Sequence, residues 1–236
     1  MPQKSMELIL DGKSAKALDR VLKSISLSGE VSICARSTGV LFQSMCPDRS
    51  AISEIFVRPE LFQEYKSAEA LQFSVGAIDF YRGEMESLAL SASDALVKIA
   101  WKKKDVEERR IIYTSPSRLR EIDMKILARV VVSPGAIVAA LRTMKGVDDV
   151  LLIVEEDEIV IRSTSSSGFS CDVRFEVESA VRRSISVSKT ILKKTLASAT
   201  SHDRVVLELG EEEDPIRFVF ESLEWNASVT IATIAL

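Results

Sequence analysis

The chain has 236 residues, enough for two domains of ordinary size, and 46% hydrophobic residues can supply a core for each. A formal net charge of −4 excludes a uniformly basic nucleic-acid binder, so the placement of charge matters more than its sum. Cys34, Cys46 and Cys171 form neither a metal-like spacing nor a disulfide framework, no apolar run reaches the ~20 residues of a membrane span, and MPQKSMELIL is not a signal peptide, so a soluble intracellular protein is expected.

Residues 13–26 open the pattern. Leu18, Val21, Leu22 and Ile25 fall on one helical face, and Lys13, Lys16, Arg20 and Lys23 on the other, with Asp19 the only acid. EVSICA and GVLFQSM read as a hairpin around Arg36-Ser37-Thr38-Gly39. SAISEIFV alternates and stops before Pro59, and LQFSV reads as a further strand. The spacing predicts a second helix from about Ile78 to Leu88, net negative through Asp79, Arg82, Glu84 and Glu86. SDALVKIAWKK and ERRIIYTS then read as a long hairpin around Lys103-Lys104-Asp105. Residues 115–125, from Ser115-Pro116 to Met124-Lys125, follow neither period and are the candidate connector.

The order then repeats. ILARVVV reads as a strand, and Ser133-Pro134 as a helix start with an N-cap followed by proline. Ile137, Leu141 and Met144 form the apolar face of that helix, away from Arg142 and Lys145. DVLLIV, EIVIRST and CDVRFEV are strands. A helix near Ser188 turns Ile191, Leu192, Thr195 and Leu196 inward and carries Lys189, Lys193 and Lys194 outside. RVVLELG and IRFVFES flank the acidic tip Glu211-Glu212-Glu213-Asp214, and SVTIATI closes the pattern. The two copies are offset by about 120 residues early and about 110 later. Their period is domain-sized, which gives domains 1–114 and 126–236 joined by 115–125. Each repeat is expected to hold two helices against a curved antiparallel sheet, an α+β fold of two tandem domains.

Little in the chain suggests chemistry. Ser201, His202 and Asp203 are adjacent in sequence, which is not the spatial chain that a catalytic triad requires. Phosphate-binding glycine motifs are absent. The acidic runs 155–158 and 211–214 read as hairpin tips, and a metal-dependent nuclease is the weaker alternative. No enzyme activity, no cofactor and no metal site is expected. What stands out is segregated charge: counted from the side chains named, the first helix is +3, the third +2 and the fourth +3, in a chain of −4. Lysines of this kind displace counterions from a DNA backbone without reading sequence, and no interleaved aromatics suggest base stacking.

TGVLFQSMCPDRSAISEIFV, SVSKTILKK and the ending DPIRFVFES…TIATI resemble sliding DNA clamps of the PCNA type over nearly the whole chain. Within that family, DRSAISEIFVRPELFQEYK and FVFESLEWNASVTIATI are similar to the Rad-nine-like subunit of the nine-one-one checkpoint clamp. The resemblance implies a trimeric ring, with helices lining the hole and sheets outside, acting in the nucleus on double-stranded DNA. DNA-facing residues would be Lys13, Lys16, Arg20, Lys23, Arg142, Lys145, Lys189, Lys193 and Lys194. It implies subunit contacts by strand edges, through Arg109, Ile111 and Tyr113 on one side and Cys171, Val173 and Phe175 on the other. It implies a partner pocket at Met45, Leu119, Ile122, Met124, Pro215 and Ala232, with Ser50 where a replicative clamp has an apolar residue. Two other clamp subunits, a clamp loader and repair or checkpoint proteins would be partners, and no membrane is involved.

Overall fold

A computed structural model describes residues 5–25, 29–67, 70–76, 78–93, 95–117, 119–164, 170–177, 179, 181–197, 204–221 and 225–232. Ser201, His202 and Asp203 lie outside the described residues. Two compact units emerge, the first Met1–Met45, Ser53–Glu121 and Leu223–Asn226, the second Cys46–Ile52, Ile122–Ser222 and Ala227–Leu236.

The first unit runs β1 (Ser5–Asp11), α1 (Gly12–Ile25), β2 (Glu30–Arg36), β3 (Gly39–Met45), β4 (Ala51–Val57), a 3-10 turn (Pro59–Leu61), β5 (Glu64–Ser67), β6 (Leu71–Gly76), β7 (Ser87–Ser93), β8 (Leu96–Lys103) and β9 (Val106–Tyr113). One sheet has the order β5-β1-β7-β8-β9, and β4-β3-β2-β6 lie side by side in another. Strand β1 runs antiparallel to β5 and β7, β8 to β7 and β9, and β2 to β3 and β6; β2 and β3 close the hairpin at Arg36↔Gly39. Alternation explains the core: Met6, Leu8 and Leu10 of β1 and Val97, Ile99 and Trp101 of β8 are buried, while residues between them are not. α1 packs on β1 and β7 through Ala15 and Leu18, with Val21 and Leu22 half-buried at its margin.

The second unit runs β10 (Ala128–Val132), α2 (Pro134–Thr143), β11 (Asp149–Val154), β12 (Glu158–Thr164), β13 (Ser170–Glu176), β14 (Arg183–Ser188), α3 (Lys189–Ala197), β15 (Arg204–Leu209), β16 (Ile216–Glu221) and β17 (Trp225–Ile231). Here the sheet orders are β13-β12-β11-β14 and β10-β15-β16-β17. These repeat the β4-β3-β2-β6 and β1-β7-β8-β9 arrangements of the first unit, with β5 as the added strand. The duplication is therefore one of topology as well as of sequence. Ile137, Leu141 and Met144 are buried as their spacing predicts, and so are Leu192, Thr195 and Leu196. The Ser133 hydroxyl, however, makes no capping bond; its extended backbone leaves only its carbonyl to accept Ile137 N–H at 3.1 Å.

The expected helix at 78–88 does not form, so the first unit has one α-helix among its described residues instead of two. Its main-chain groups are held by tertiary partners. Phe80 N–H donates to the buried Asp19 carboxylate at 2.9 Å, and the Asp79 carbonyl accepts from Trp101 Nε1 at 3.2 Å. Gly83 and Glu84 have φ of 30° and 29°, outside the right-handed helical region. The apolar positions that mimic a helical face, Phe80 and Met85, are buried from a loop; Phe80 packs edge-on against Phe42, 5.7 Å between ring centroids.

Candidate functional site

Three features can carry function: the basic helices, the open sheet edges and one groove in the second unit. α1 begins where Asp11 Oδ1 accepts Ser14 N–H at 2.6 Å, and this bond holds the Asp11 carboxyl below its ordinary range. The helix exposes Lys13, Lys16, Arg20 and Lys23. Lys16 sits over the Tyr81 ring at 5.6 Å. Lys23 is not a free cation: it pairs with Asp19 at 3.0 Å and Asp79 at 3.3 Å, and the Asp19 bond raises its pKa. The loop that replaces a helix thus consumes part of the positive charge of α1.

In the second unit α2 and α3 pack against each other. Arg142, Lys145, Lys193 and Lys194 are exposed on this helical layer. Lys189 is half-buried and donates from Nζ to the Met144 carbonyl, where α2 ends, so its charge serves the helix C-terminus. Of the nine cations expected to face DNA, all but the half-buried Lys189 are exposed, and Lys23 and Lys189 are held by the structural partners just described.

β9 and β13 end their sheets. On β9, Arg109, Ile111 and Tyr113 are exposed, with Tyr113 82% accessible, and Arg109 forks onto Glu107 with two bonds of 2.9 Å. On β13, Cys171, Val173 and Phe175 are half-buried, while Asp172 pairs with Arg162 at 2.7 Å and Arg174 with Glu158 at 2.7 Å. An edge strand presents unpaired main-chain donors and acceptors to any strand that docks there.

The groove in the second unit has a volume of about 350 Å³ and is lined by Arg49, Ser50, Ala51, Ile52, Ile122, Glu213, Pro215, Thr230 and Ala232. It gathers three of the six expected pocket residues, Ile122, Pro215 and Ala232. Met45, Leu119 and Met124 are half-buried and not among its lining. Sequence reasoning missed Arg49, Ala51, Ile52, Glu213 and Thr230, because only pairing of distant strands brings them together. The wall at residues 46–51 is stiff: Asp48 accepts the Ser50 N–H at 2.9 Å and hydroxyl at 2.6 Å, and Cys46 N–H donates to the Ala51 carbonyl at 2.9 Å. Arg217 ties two of the lining residues together: its Nη2 donates to the Ile122 carbonyl at 3.1 Å and its Nε to Thr230 Oγ1 at 3.1 Å. Arg217 in turn faces the buried Glu208 at 3.7 Å, which Arg129 holds at 3.0 Å from the other side. A broader hollow of about 480 Å³ lies on the β1-β7-β8-β9 sheet, where Ile9, Ala89 and Ala100 share the lining with charged side chains such as Glu7, Lys98 and Arg110.

Among the described residues no group of three or more His, Cys, Asp or Glu could hold a metal ion, and no helix is long and apolar enough to cross a membrane.

No protein-family model and no curated protein matches the chain. Solved structures do. A chain of the structure of the FEN-1 C-terminal region bound to A. fulgidus PCNA is 18% identical with a TM-score of 0.74, over 98% of this chain and 99% of that one. PCNA of Thermococcus kodakaraensis is 14% identical, TM-score 0.75, over 97% and 100%. Proliferating Cellular Nuclear Antigen of Entamoeba histolytica is 13% identical, TM-score 0.77, over the full length of both chains. At such identities the likeness establishes the fold: the chain has the PCNA-like clamp fold.

Proposed function

We propose that this chain, built on the sliding-clamp fold, is a non-enzymatic subunit of a three-chain ring that encircles double-stranded DNA and tethers partner proteins. One observation carries the proposal: α1, α2 and α3 expose cations while, among the described residues, every acid but Asp19 lies on a loop, turn or strand, in a chain of net charge −4. A backbone-directed surface needs this segregation and not a basic chain. The open edges β9 and β13 support assembly by strand pairing, head to tail, which closes into a ring. The groove around Ile122, Pro215 and Ala232 supports docking of a short apolar segment.

In this reading residues 1–114 and 126–236 are the two clamp domains and 115–125 the connector, and the ring acts in the nucleus with a clamp loader and repair or checkpoint proteins. The finer assignment is the checkpoint clamp, a heterotrimer. It rests on DRSAISEIFVRPELFQEYK and FVFESLEWNASVTIATI, and the net-negative loop at 78–86, where the second repeat has the basic helix α3, favours a specialised subunit. A replicative homotrimer is the second reading, favoured by the likeness to three PCNA structures over nearly the whole chain. The purified chain alone tells them apart. A stable trimer supports the replicative form; a monomer that forms rings only with two different clamp subunits supports the checkpoint form.

A further inference from the structure

The acidic turn at 211–214 forms one wall of the groove through Glu213 and the following Pro215. Four consecutive carboxylates repel one another, and a turn that carries them should spread unless something holds it. Arg183, at the start of β14, is 6% exposed and lies beneath this turn. Its guanidinium donates to three main-chain carbonyls: Gly210 at 3.5 Å, Glu212 at 2.8 Å, and Asp214. No side-chain carboxylate among the described residues bonds it, and its Nε has no hydrogen-bond partner there. Burial pulls its pKa down, against the charges of Asp214 and Glu212. The turn is also closed internally, by Glu211 N–H to Asp214 Oδ2 at 2.8 Å and Asp214 N–H to the Glu211 carbonyl at 3.0 Å.

A buried cation with an unmet donor is a poor way to stabilise a fold, since apolar replacements of buried ionic groups are often neutral or stabilising. The rigid fork of arginine, however, is well suited to gathering several acceptors at fixed spacing. We propose that Arg183 is the positioning residue of the docking groove: it draws the carbonyls of residues 210–214 onto one fork and so holds Glu213 and Pro215 as the groove wall. The docking role rests on the function proposed above; the effect on the turn does not.

The test compares Arg183→Met, which keeps an unbranched apolar stem and removes charge and donors, with Arg183→Lys, which restores the charge. Amide hydrogen exchange at Glu211 and Asp214 in the chain without any ligand is the primary measurement. In Arg183→Met both amides exchange about tenfold faster or more, exchange in the interiors of β14 and β15 is unchanged, the unfolding midpoint is unchanged or higher, and Arg183→Lys recovers part of the protection. Unchanged exchange at Glu211 and Asp214 overturns the proposal. So does faster exchange spread evenly over β14 and β15, which marks a general loosening. A second arm uses as probe the FEN-1 C-terminal peptide, the segment bound to A. fulgidus PCNA in the similar structure, whose affinity falls about tenfold in Arg183→Met. A wild-type chain that fails to bind this peptide counts against the docking reading alone, and the exchange result still decides the role of Arg183.

Discussion

The Asp19 carboxylate on α1 accepts the main-chain N–H of Phe80 at 2.9 Å, and through that bond a segment with helical spacing is held as a loop. Asp19 is only 7% exposed, so the carboxylate also needs its contact with Lys23 at 3.0 Å. Asp19→Ala leaves a buried N–H without an acceptor and is expected to cost about 1–3 kcal/mol in denaturant unfolding. Asp19→Asn keeps an acceptor for Phe80 and loses mainly the pairing with Lys23, so its cost is smaller. Equal costs for the two would contradict the role given to the Phe80 bond.

Gly12 marks a second close approach. Its N–H donates to the Glu86 carbonyl at 2.8 Å, and a Cβ placed on it overlaps the Met85 carbonyl oxygen. Main chain cannot move aside as a flexible side chain does. Gly12→Ala is expected to destabilise by about 1–3 kcal/mol, the usual range for overpacking. Gly135→Ala, inside α2 with nothing within 4 Å of the new methyl, is expected to stabilise by roughly 0.5–1 kcal/mol. Thermal unfolding of the pair reads the contrast directly.

Asp11 gives the stability of α1 a pH dependence. Its folded-state pKa is depressed, chiefly by the Ser14 N–H. Its contribution is therefore present above the unfolded-state value, about 3.9, and is lost as pH falls through the folded value. Asp11→Ala is expected to cost about 1 kcal/mol at pH 7, the usual worth of an N-cap, and progressively less as the solution is acidified below about pH 4. Asp11→Asn caps without titrating, so its stability lacks this component of the acid dependence.

For the DNA face the informative substitutions are those whose charges hold neither a carboxylate nor a main-chain carbonyl in the contacts described above. Lys16, Arg20 and Lys193 qualify, whereas Lys189 supports the end of α2 and Lys23 supports Asp19. A Lys16→Glu, Arg20→Glu, Lys193→Glu chain is expected to fold and assemble but to leave circular DNA faster. The salt dependence of its DNA affinity should flatten by roughly 0.9 in log–log slope for each phosphate that is no longer neutralised. Unchanged retention and slope would contradict the lining assignment.

Much of this architecture could be read from residue patterns alone. The helical spacing of α1, α2 and α3, the alternation in β4, and the apolar runs of β2, β3, β8, β11 and β16 placed these elements close to where they lie. The segment at 78–86 could not be read locally, because Asp19 and Trp101, both distant in sequence, decide where its main-chain groups bond. β1, β5 and β7 escaped for a related reason. SMELILD also fits a lead into the helix, EYKS is short and polar, and SLALSAS is rich in small residues, so long-range pairing defines all three strands. The groove divides the same way. Ile122, Pro215 and Ala232 followed from resemblance, while Arg49, Thr230 and Glu213 join them only through hydrogen bonds such as Ala232 N–H to the Ser50 carbonyl at 2.8 Å.

The most direct test of the clamp proposal is the mass and low-resolution image of what this chain forms, alone and mixed with candidate clamp subunits. The proposal predicts a closed particle of three chains with an open centre, joined through β9 and β13, which disperses when main-chain pairing at either edge is blocked by proline. A chain that forms no ring in any combination of subunits would contradict it.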